Sequence, residues 1–510
     1  MYCKVVSLYL FYAKKGNVFV KPSKICYDNT GHIFSDSDII FYEVISMKFM
    51  GLELNMKNVP KYDKGFLPFA RFLEAYKASV KAVGGMPLKI ALERENGQIS
   101  VYDTAIHGDD AHLAVDRLYI ERAVKALLWI RGGFRVTICG SDEIAAYIKS
   151  LYCKGGKREF DADFMAKVYE APFEVLSCAY ADAPVSYEVA KSIGRNLDGC
   201  RIGFDAGGSD RKVSAVVNGE PIWSEEVVWL PKVNPDPDYH FDGIVAAMKS
   251  AAAKMPRVDA IGVSSAGIYV ANRTMVASLF LKVPEDLFEQ KVKDIYIRAA
   301  KEIGDIPLEV ANDGDVTALA GAMELNDTNV LGIAMGTSEA GGFVDGAGNI
   351  TGWLNELAFC PVDLSEDAMI DEWSGDIGCG VKYFSQDSVI KLAPNAGIEL
   401  DENATPAEKL KVVQKLMLEN DDRARGIYES IGCYLANGLA LYSEFYDIRH
   451  VLLMGRVVSG EGGNIILDEC KRILAEEYPA LAGKLELHLP DENSRRVGQS
   501  VAAASLPECK

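Results

Sequence analysis

The sequence has no run of about 18 apolar residues, the length a helix needs to cross a bilayer, so it offers no membrane span. The apolar stretch at residues 5–13 is as long as a short signal core, but Lys14 and Lys15 follow it and no small-residue cleavage site appears. No Cys-x-x-Cys pair occurs among the eleven cysteines. Their odd number and wide spacing argue against a secreted disulfide framework and for reduced thiols, hence a cytoplasmic protein. A Walker-type Gly-Lys-Ser/Thr opening a helix is also missing. Positive charge is short over most of the chain. Residues 1–195 hold 26 Lys and Arg against 23 Asp and Glu, whereas residues 196–510 hold 28 against 50, which accounts for the formal charge of −19. So acidic a surface repels phosphate backbones, so no nucleic-acid partner is expected, and an anionic ligand needs a local cradle.

At 510 residues, with 49% hydrophobic and 25% charged residues, the chain has the composition of a soluble globular protein of about three folding units. Residues 1–46 show no clear periodicity and form an N-terminal segment of uncertain structure. Residues 47–198 read as an extra α/β domain. Strands at 88–92 and 99–102 flank the turn Glu95-Asn96-Gly97, and a helix at 119–130, a strand at 135–139 and a helix at 142–151 follow. A β-branched strand and Gly132-Gly133 separate the helices, and no basic face accompanies them, which speaks against a DNA-binding helix-turn-helix. Nothing catalytic is legible in this part.

The chemistry begins after Arg201. A strand reaching Asp205 leads into Gly207-Gly208-Ser209, a second strand at 213–217 and a turn at Asn218-Gly219. About 130 residues later the pattern recurs: a strand at 330–335, Gly336-Thr337-Ser338, Gly341-Gly342 and a turn at Asp345-Gly346. Such tips bring backbone amides and a hydroxyl close to phosphate oxygens, because glycine lets the backbone approach. Taken singly, each also reads as an ordinary tight turn. Between the hairpins a strand at 307–311 precedes Asn312-Asp313-Gly314-Asp315 and a helix with Val316, Leu319, Ala320 and Met323 on its buried face. Asp313 or Asp315 reads as the N-cap; Asp315 in that role leaves Asp313 free for chemistry. A strand at 451–454 runs into Gly455, Ser459 and Gly460 ahead of a further helix, a common nucleotide-contact geometry.

Taken in order, these pieces resemble the ROK family (repressors, open reading frames and sugar kinases) of the actin-like ATPase superfamily over residues 201–508. Asp205-Ala206-Gly207-Gly208-Ser209 is similar to the family's D-x-G-G-T hairpin, Asn312-Asp313 to its N-D motif, and Gly336-Thr337 with Gly341-Gly342 to its second hairpin. Residues 352–356 resemble the segment ending in G-E-x-G-H, and residues 375–379 the end of C-x-C-G-x-x-G-C, with Ser385 following. The resemblance implies a two-lobed actin-like (ribonuclease H-like) α/β fold, one lobe at 199–309 plus 490–510 and the other at 310–489. It implies an ATP-dependent sugar kinase in which Asp313 is the general base, while Asn312, Asp313 and Glu356 bind the acceptor. Asp205 would hold Mg²⁺ through water, Gly207, Gly208, Ser209, Gly336 and Thr337 would cradle phosphates, and Gly455, Ser459 and Gly460 would lie near the nucleoside or α-phosphate. The partner implied is a small sugar or polyol, and dimers are common in the family.

Several positions depart from that pattern. Phe359 stands at the histidine, Glu372 and Ser374 stand at the first two cysteines, and no histidine occurs between His240 and His450. With Cys379 and Cys360 the remaining thiols nearby, no structural zinc is expected. Val381 replaces a sugar-contacting glutamate, so a more apolar acceptor pocket is expected. Phe359 reads either as a stacking face for a sugar ring or as core. Glu339 in the second hairpin must face away from phosphate or reach Mg²⁺, and Met454-Gly455-Arg456 replaces a more glycine-rich run. The competing readings are a sugar- or nucleotide-binding regulator on the same fold without turnover, and a kinase-like protein that docks partners through residues 1–198.

Overall fold

The computed structural model describes residues 4–14, 17–27, 45–188, 193–208, 210–489 and 495–509. The chain divides into two units, Met1–Ile45 and Ser46–Lys510. The first holds an antiparallel hairpin of β1 (Lys4–Lys14) and β2 (Asn17–Tyr27), where the sequence shows no periodicity.

The second unit opens with a small hairpin, β3 (Ile45–Phe49) and β4 (Leu52–Met56), and helix α1 (Phe69–Val83). Phe69, Phe72, Leu73, Tyr76 and Val80 recur at helical spacing and bury one face of α1, and Gly84 in the left-handed region ends it. Next come β5 (Met86–Glu93), β6 (Ile99–Ile106), α2 (Leu113–Arg131), β7 (Arg135–Cys139), α3 (Asp142–Leu151), α4 (Glu159–Tyr169) and β8 (Glu174–Cys178). The sheet order is β6-β5-β7-β8, antiparallel except for β7 and β8. Asn96 takes φ 58° in the turn between β5 and β6, the left-handed conformation that asparagine tolerates.

Helix α2 is buried around almost its whole circumference, charges included. Arg122, Lys125 and Arg158 are buried with Glu121, Asp161 and Asp376. Lys125 Nζ lies 3.1 Å from Asp161 and 3.2 Å from Asp376, Arg122 Nη1 lies 3.2 Å from Asp376, and Arg158 pairs with both Asp376 and Glu121. Three cations facing three anions leave no net buried charge, and removing one partner would leave the others uncompensated. Because Asp376 lies outside the N-terminal module, the cluster fastens that module to the rest of the unit.

Two sheets of like topology follow. In the first, β9 (Cys200–Ala206), β10 (Asp210–Val217) and β11 (Glu220–Val228) are antiparallel. Helix α5 (Pro237–Ala252) leads to β12 (Ala260–Ser265), then to the hairpin β13 (Ile268–Val270) and β14 (Arg273–Val276), the short α6 (Glu285–Leu287), α7 (Ile295–Lys301) and β15 (Leu308–Asn312). The order is β11-β10-β9-β12-β15, with β9, β12 and β15 parallel. Helix α8 (Asp313–Leu325) leads to the second sheet, where β16 (Val330–Met335) and β17 (Glu339–Val344) are antiparallel. After α9 (Gln386–Leu392), α10 (Pro406–Leu418) and α11 (Asp422–Tyr442) come β18 (His450–Met454), α12 (Glu461–Glu477), α13 (Pro479–Ala482), β19 (Glu486–His488) and α14 (Arg495–Ala504). The order is β17-β16-β18-β19, with β16, β18 and β19 parallel. Helix α8 lies against β16 and β17 of the second sheet, whereas α14 returns to β9 and β12 of the first. Two such sheets with exchanged crossing helices form a two-lobed actin-like fold. No helix among the described residues is long and apolar enough to cross a membrane.

Candidate active site

The first hairpin sits where β9 ends. Asp205 is paired in register with Ser264 on parallel β12, whose hydroxyl donates to Asp205 Oδ1 at 2.9 Å. Gln499 Nε2 of α14 donates to the same hydroxyl at 3.2 Å. Asp205 is buried, and burial pushes its carboxyl up to about 6; Ser264 works against the shift, and nearby Asp313 adds to it. Trp229 Nε1 donates to the carbonyl of Gly207 at 2.8 Å and holds the turn. Lys232 lies over Gly208: its Nζ is 3.2 Å from where a Cβ at that position would stand. Ser209 lies outside the described residues.

The end of β15 supplies the second group. Asn312 caps α8: its Oδ1 accepts the Gly314 N–H at 2.7 Å, while its Nδ2 donates to the carbonyl of Gly267 at 2.7 Å. This corrects the expectation of an aspartate cap. Asn312 turns with its side chain while Asp313 becomes the first helical residue, so neither Asp313 nor Asp315 is used as the cap. Asp313 Oδ1 accepts the adjacent Gly314 N–H at 3.1 Å. Burial raises its carboxyl above the ordinary range, while backbone N–H groups and the Lys232 ammonium oppose the shift. Asp315 is instead consumed structurally, accepting from Phe343 N at 3.1 Å and Asn355 Nδ2 at 2.8 Å, and burial pushes it up to about 7.

The first turn of α8 comes this close to the second hairpin through two glycines. A Cβ on Gly342 would stand 2.2 Å from the Gly314 carbonyl oxygen, inside any van der Waals contact. Gly341-Gly342 therefore seats the helix carrying Asp313. At the tip, Gly336 N donates to Ser338 O at 3.0 Å, and Thr337 and Ser338 are exposed. Gly455, with φ 96°, crosses the backbone of the same strand, and a Cβ there would stand 2.3 Å from the Met335 carbonyl oxygen. Ser459 is spent within its loop, donating to Arg456 O and accepting from Gln414, and Gly460 is the residue before α12.

Glu356 completes the carboxylate group. No hydrogen-bond partner for its side chain occurs among the described residues. Burial pushes its carboxyl up to about 7, with Asp313 and Asp315 adding repulsion. Electrostatically, Asp205, Asp313, Asp315 and Glu356 thus form one cluster, to which Lys232 contributes the opposing charge. Beside it lies a cleft of about 250 Å³ lined by Asn312, Tyr269 and Asn272 of the first lobe, by Trp353, and by Asn96 and Tyr187 of the N-terminal module. Sequence reasoning missed Lys232, Ser264 and Trp229. The run Trp229-Leu230-Pro231-Lys232 carries no spacing signal, and only the fold brings it to the turn.

The departures resolve as follows. Phe359 is core, its ring 4.2 Å from Trp129 and 5.6 Å from Trp373. Glu339 faces away from the tip, buried, accepting from Tyr442 OH at 3.2 Å. Glu372 pairs with Lys382, and burial raises the thiols of Cys360 and Cys379, the latter to about 12.

No protein-family model matches the chain, and no curated protein matches it. Solved structures do. A ROK hexokinase from Thermus thermophilus is 18% identical over 60% of this chain and 97% of its own, with TM-score 0.48. A ROK family glucokinase from Streptomyces griseus, solved with glucose and AMPPNP, is 21% identical over 61% of this chain and 99% of its own, with TM-score 0.45. A ROK family transcriptional regulator, homolog of the E. coli MLC protein, is 16% identical over 61% of this chain and 79% of its own, with TM-score 0.48. These structural neighbours belong to the ROK family, which the sequence motifs resemble, and they include kinases and a regulator.

Proposed function

We infer that the protein is an ATP-dependent phosphotransferase acting on a hydroxyl of a sugar or sugar-like acceptor. The observation that carries this reading is that Asp205 at the end of β9 and Asp313 just after β15, the two strands that flank β12, repel each other electrostatically beside a glycine turn covered by Lys232. Asp313 accepts the acceptor's hydroxyl proton as the oxygen attacks the γ-phosphorus and the bond to the bridging oxygen of ADP breaks. A carboxylate made more basic by burial suits that task, because the proton then moves to a stronger base. Gly207, Gly208, Gly336 and Thr337 approach the phosphates, with Gly455 behind the second tip. Ser209 is assigned to the same phosphate cradle, and Ser459 and Gly460 to the neighbourhood of the nucleoside or α-phosphate. Lys232 meets phosphate charge as an ammonium.

The residues fit Mg²⁺. Asp205 offers a buried carboxylate with one oxygen on Ser264 and no other hydrogen-bond partner among the described residues, a site for a hard cation's water shell. When bound, Mg²⁺ would neutralise charge on the transferring phosphate. Asn312 and Glu356 border the acceptor, and the amides and rings of Asn96, Asn272, Tyr187, Tyr269 and Trp353 suit a ligand with both hydroxyls and apolar ring faces.

One feature of the sequence favours the regulator reading: Phe359 and Val381 stand where the family pattern has polar sugar contacts. The experiment that separates the two is mass-spectrometric detection of phosphorylated product from Mg·ATP against a panel of sugars and polyols, with wild type beside Asp313→Asn. Turnover that falls about 10²–10⁴-fold in the variant supports the base. Full activity in the variant removes that assignment, and ligand binding without product from any acceptor supports the regulator.

A further inference from the structure

At the opposite end of β18 from Gly455, two strands turn three metal-ligand side chains towards one another. His450 opens β18, and Glu486 and His488 lie on the neighbouring edge strand β19, where residues two apart share a face. His450 Nδ1 is 3.1 Å from His488 Nε2 and 3.6 Å from Glu486 Oε2. One ligand atom from each residue lies within 4.8 Å of the other two. Nitrogen and oxygen donors about 2.0–2.2 Å from a tetrahedral Zn²⁺ stand roughly 3.3–3.5 Å apart, so these separations bracket that edge length.

Tautomer chemistry adds an independent argument. His450 Nε2 is 3.1 Å from Asp327 Oδ2, and a carboxylate only accepts, so Nε2 carries the proton. Its Nδ1 is then a lone pair aimed at the second imidazole. A carboxylate fixing the far nitrogen of a histidine in this way is the usual outer partner of a metal ligand. Arg449 spans both carboxylates, its Nη1 2.9 Å from Asp327 and its Nη2 3.9 Å from Glu486, so one cation offsets two anions and a net negative charge stays beside the two rings. Glu486 is 55% exposed, so a hydrated ion can reach the group.

The geometry points to a binding site for one first-row divalent cation, best matched by Zn²⁺, formed by His450, Glu486 and His488 with water in the fourth position. It is independent of the phosphotransfer reading. Bound there, the ion ties the edge strand β19 to β18 and, through Asp327, to the turn after α8.

The test uses full-length protein stripped with chelator, titrated with Zn²⁺ against a chromophoric competitor and, in parallel, with Co²⁺ to record its tetrahedral visible bands. The variants are His488→Ala and Glu486→Gln, both on the edge strand, with their circular dichroism and melting checked. The expected result is one equivalent bound by wild type, affinity lowered at least tenfold in Glu486→Gln and lost in His488→Ala, and a zinc-dependent rise in Tm that is largest in wild type and absent in His488→Ala. No uptake by wild type overturns the proposal, as does equal uptake by folded variants, which would assign the metal to surface thiols such as Cys153 or Cys509.

Discussion

The main-chain N–H of Glu356 donates to the carbonyl oxygen of Trp129 at 3.0 Å, and that of Asn355 to the carbonyl of Ile130 at 2.9 Å. The last carbonyls of a helix have no partner within it, and here two of those on α2 are met by the loop that carries Glu356. The Trp129 ring also packs at a tilt against Phe359, three residues further along the loop, and its indole N–H donates to Asp161 at 2.7 Å. The N-terminal module thereby positions a side chain of the candidate site as well as lining its cleft.

Trp129→Ala should therefore act twice. Removing so large a buried side chain costs about 3–5 kcal/mol, visible in chemical denaturation. Phosphotransfer per folded molecule should also fall, chiefly through the KM of the acceptor, because the loop at 355–356 loses its seat. Unchanged activity in the folded fraction would show that the module holds the loop only passively.

The local chemistry of the site was legible because it is short-range. Gly207-Gly208, Gly336-Thr337 and Asn312-Asp313 each announce a strand end within a few residues, and their order along the chain carried the fold. What could not be read depends on distant partners. Whether Asn312 or an aspartate caps α8 turns on the Gly267 carbonyl, 45 residues away. The buried cluster of Arg122, Lys125 and Asp376 spans some 250 positions, and as a sequence each charge looks like a solvated helix face. Likewise Phe359 reads as core more often than as a ring for a sugar, and only Trp129 beside it decides between them.

Two glycines of the second hairpin should respond in opposite ways. At Gly342 an added methyl meets the Gly314 backbone at 2.2 Å, whereas at Gly336 the nearest atom is 3.7 Å away. Gly342→Ala should lower stability by about 1–3 kcal/mol through overpacking and displace Asp313 with it. Gly336→Ala should leave Tm almost unchanged yet weaken nucleotide binding, read by titration calorimetry, because the methyl projects where a phosphate would approach. If Gly336→Ala binds nucleotide as wild type does, the tip is a turn and not a cradle.

The protonation of Glu356 links stability to pH with a sign opposite to that of a salt-bridged carboxylate. Its folded value of about 7 stands above the ordinary 4.5, so between those values the folded protein holds a proton that the unfolded chain has released. Its contribution to stability is therefore fully present below about pH 4.5 and is lost as pH rises through 7. Glu356→Gln removes the buried charge, so in ligand-free protein it should raise stability over wild type slightly at pH 5 and by roughly 2–3 kcal/mol at pH 8. Melting curves at the two pH values read the difference directly. An equal effect at both would mean that water already solvates the carboxylate. If Glu356 also contacts the acceptor, the same variant should raise the acceptor's KM. Stability gained at pH 8 together with binding lost is what a carboxylate kept at an unfavourable place for its ligand predicts, whereas a merely structural residue would lose both or neither.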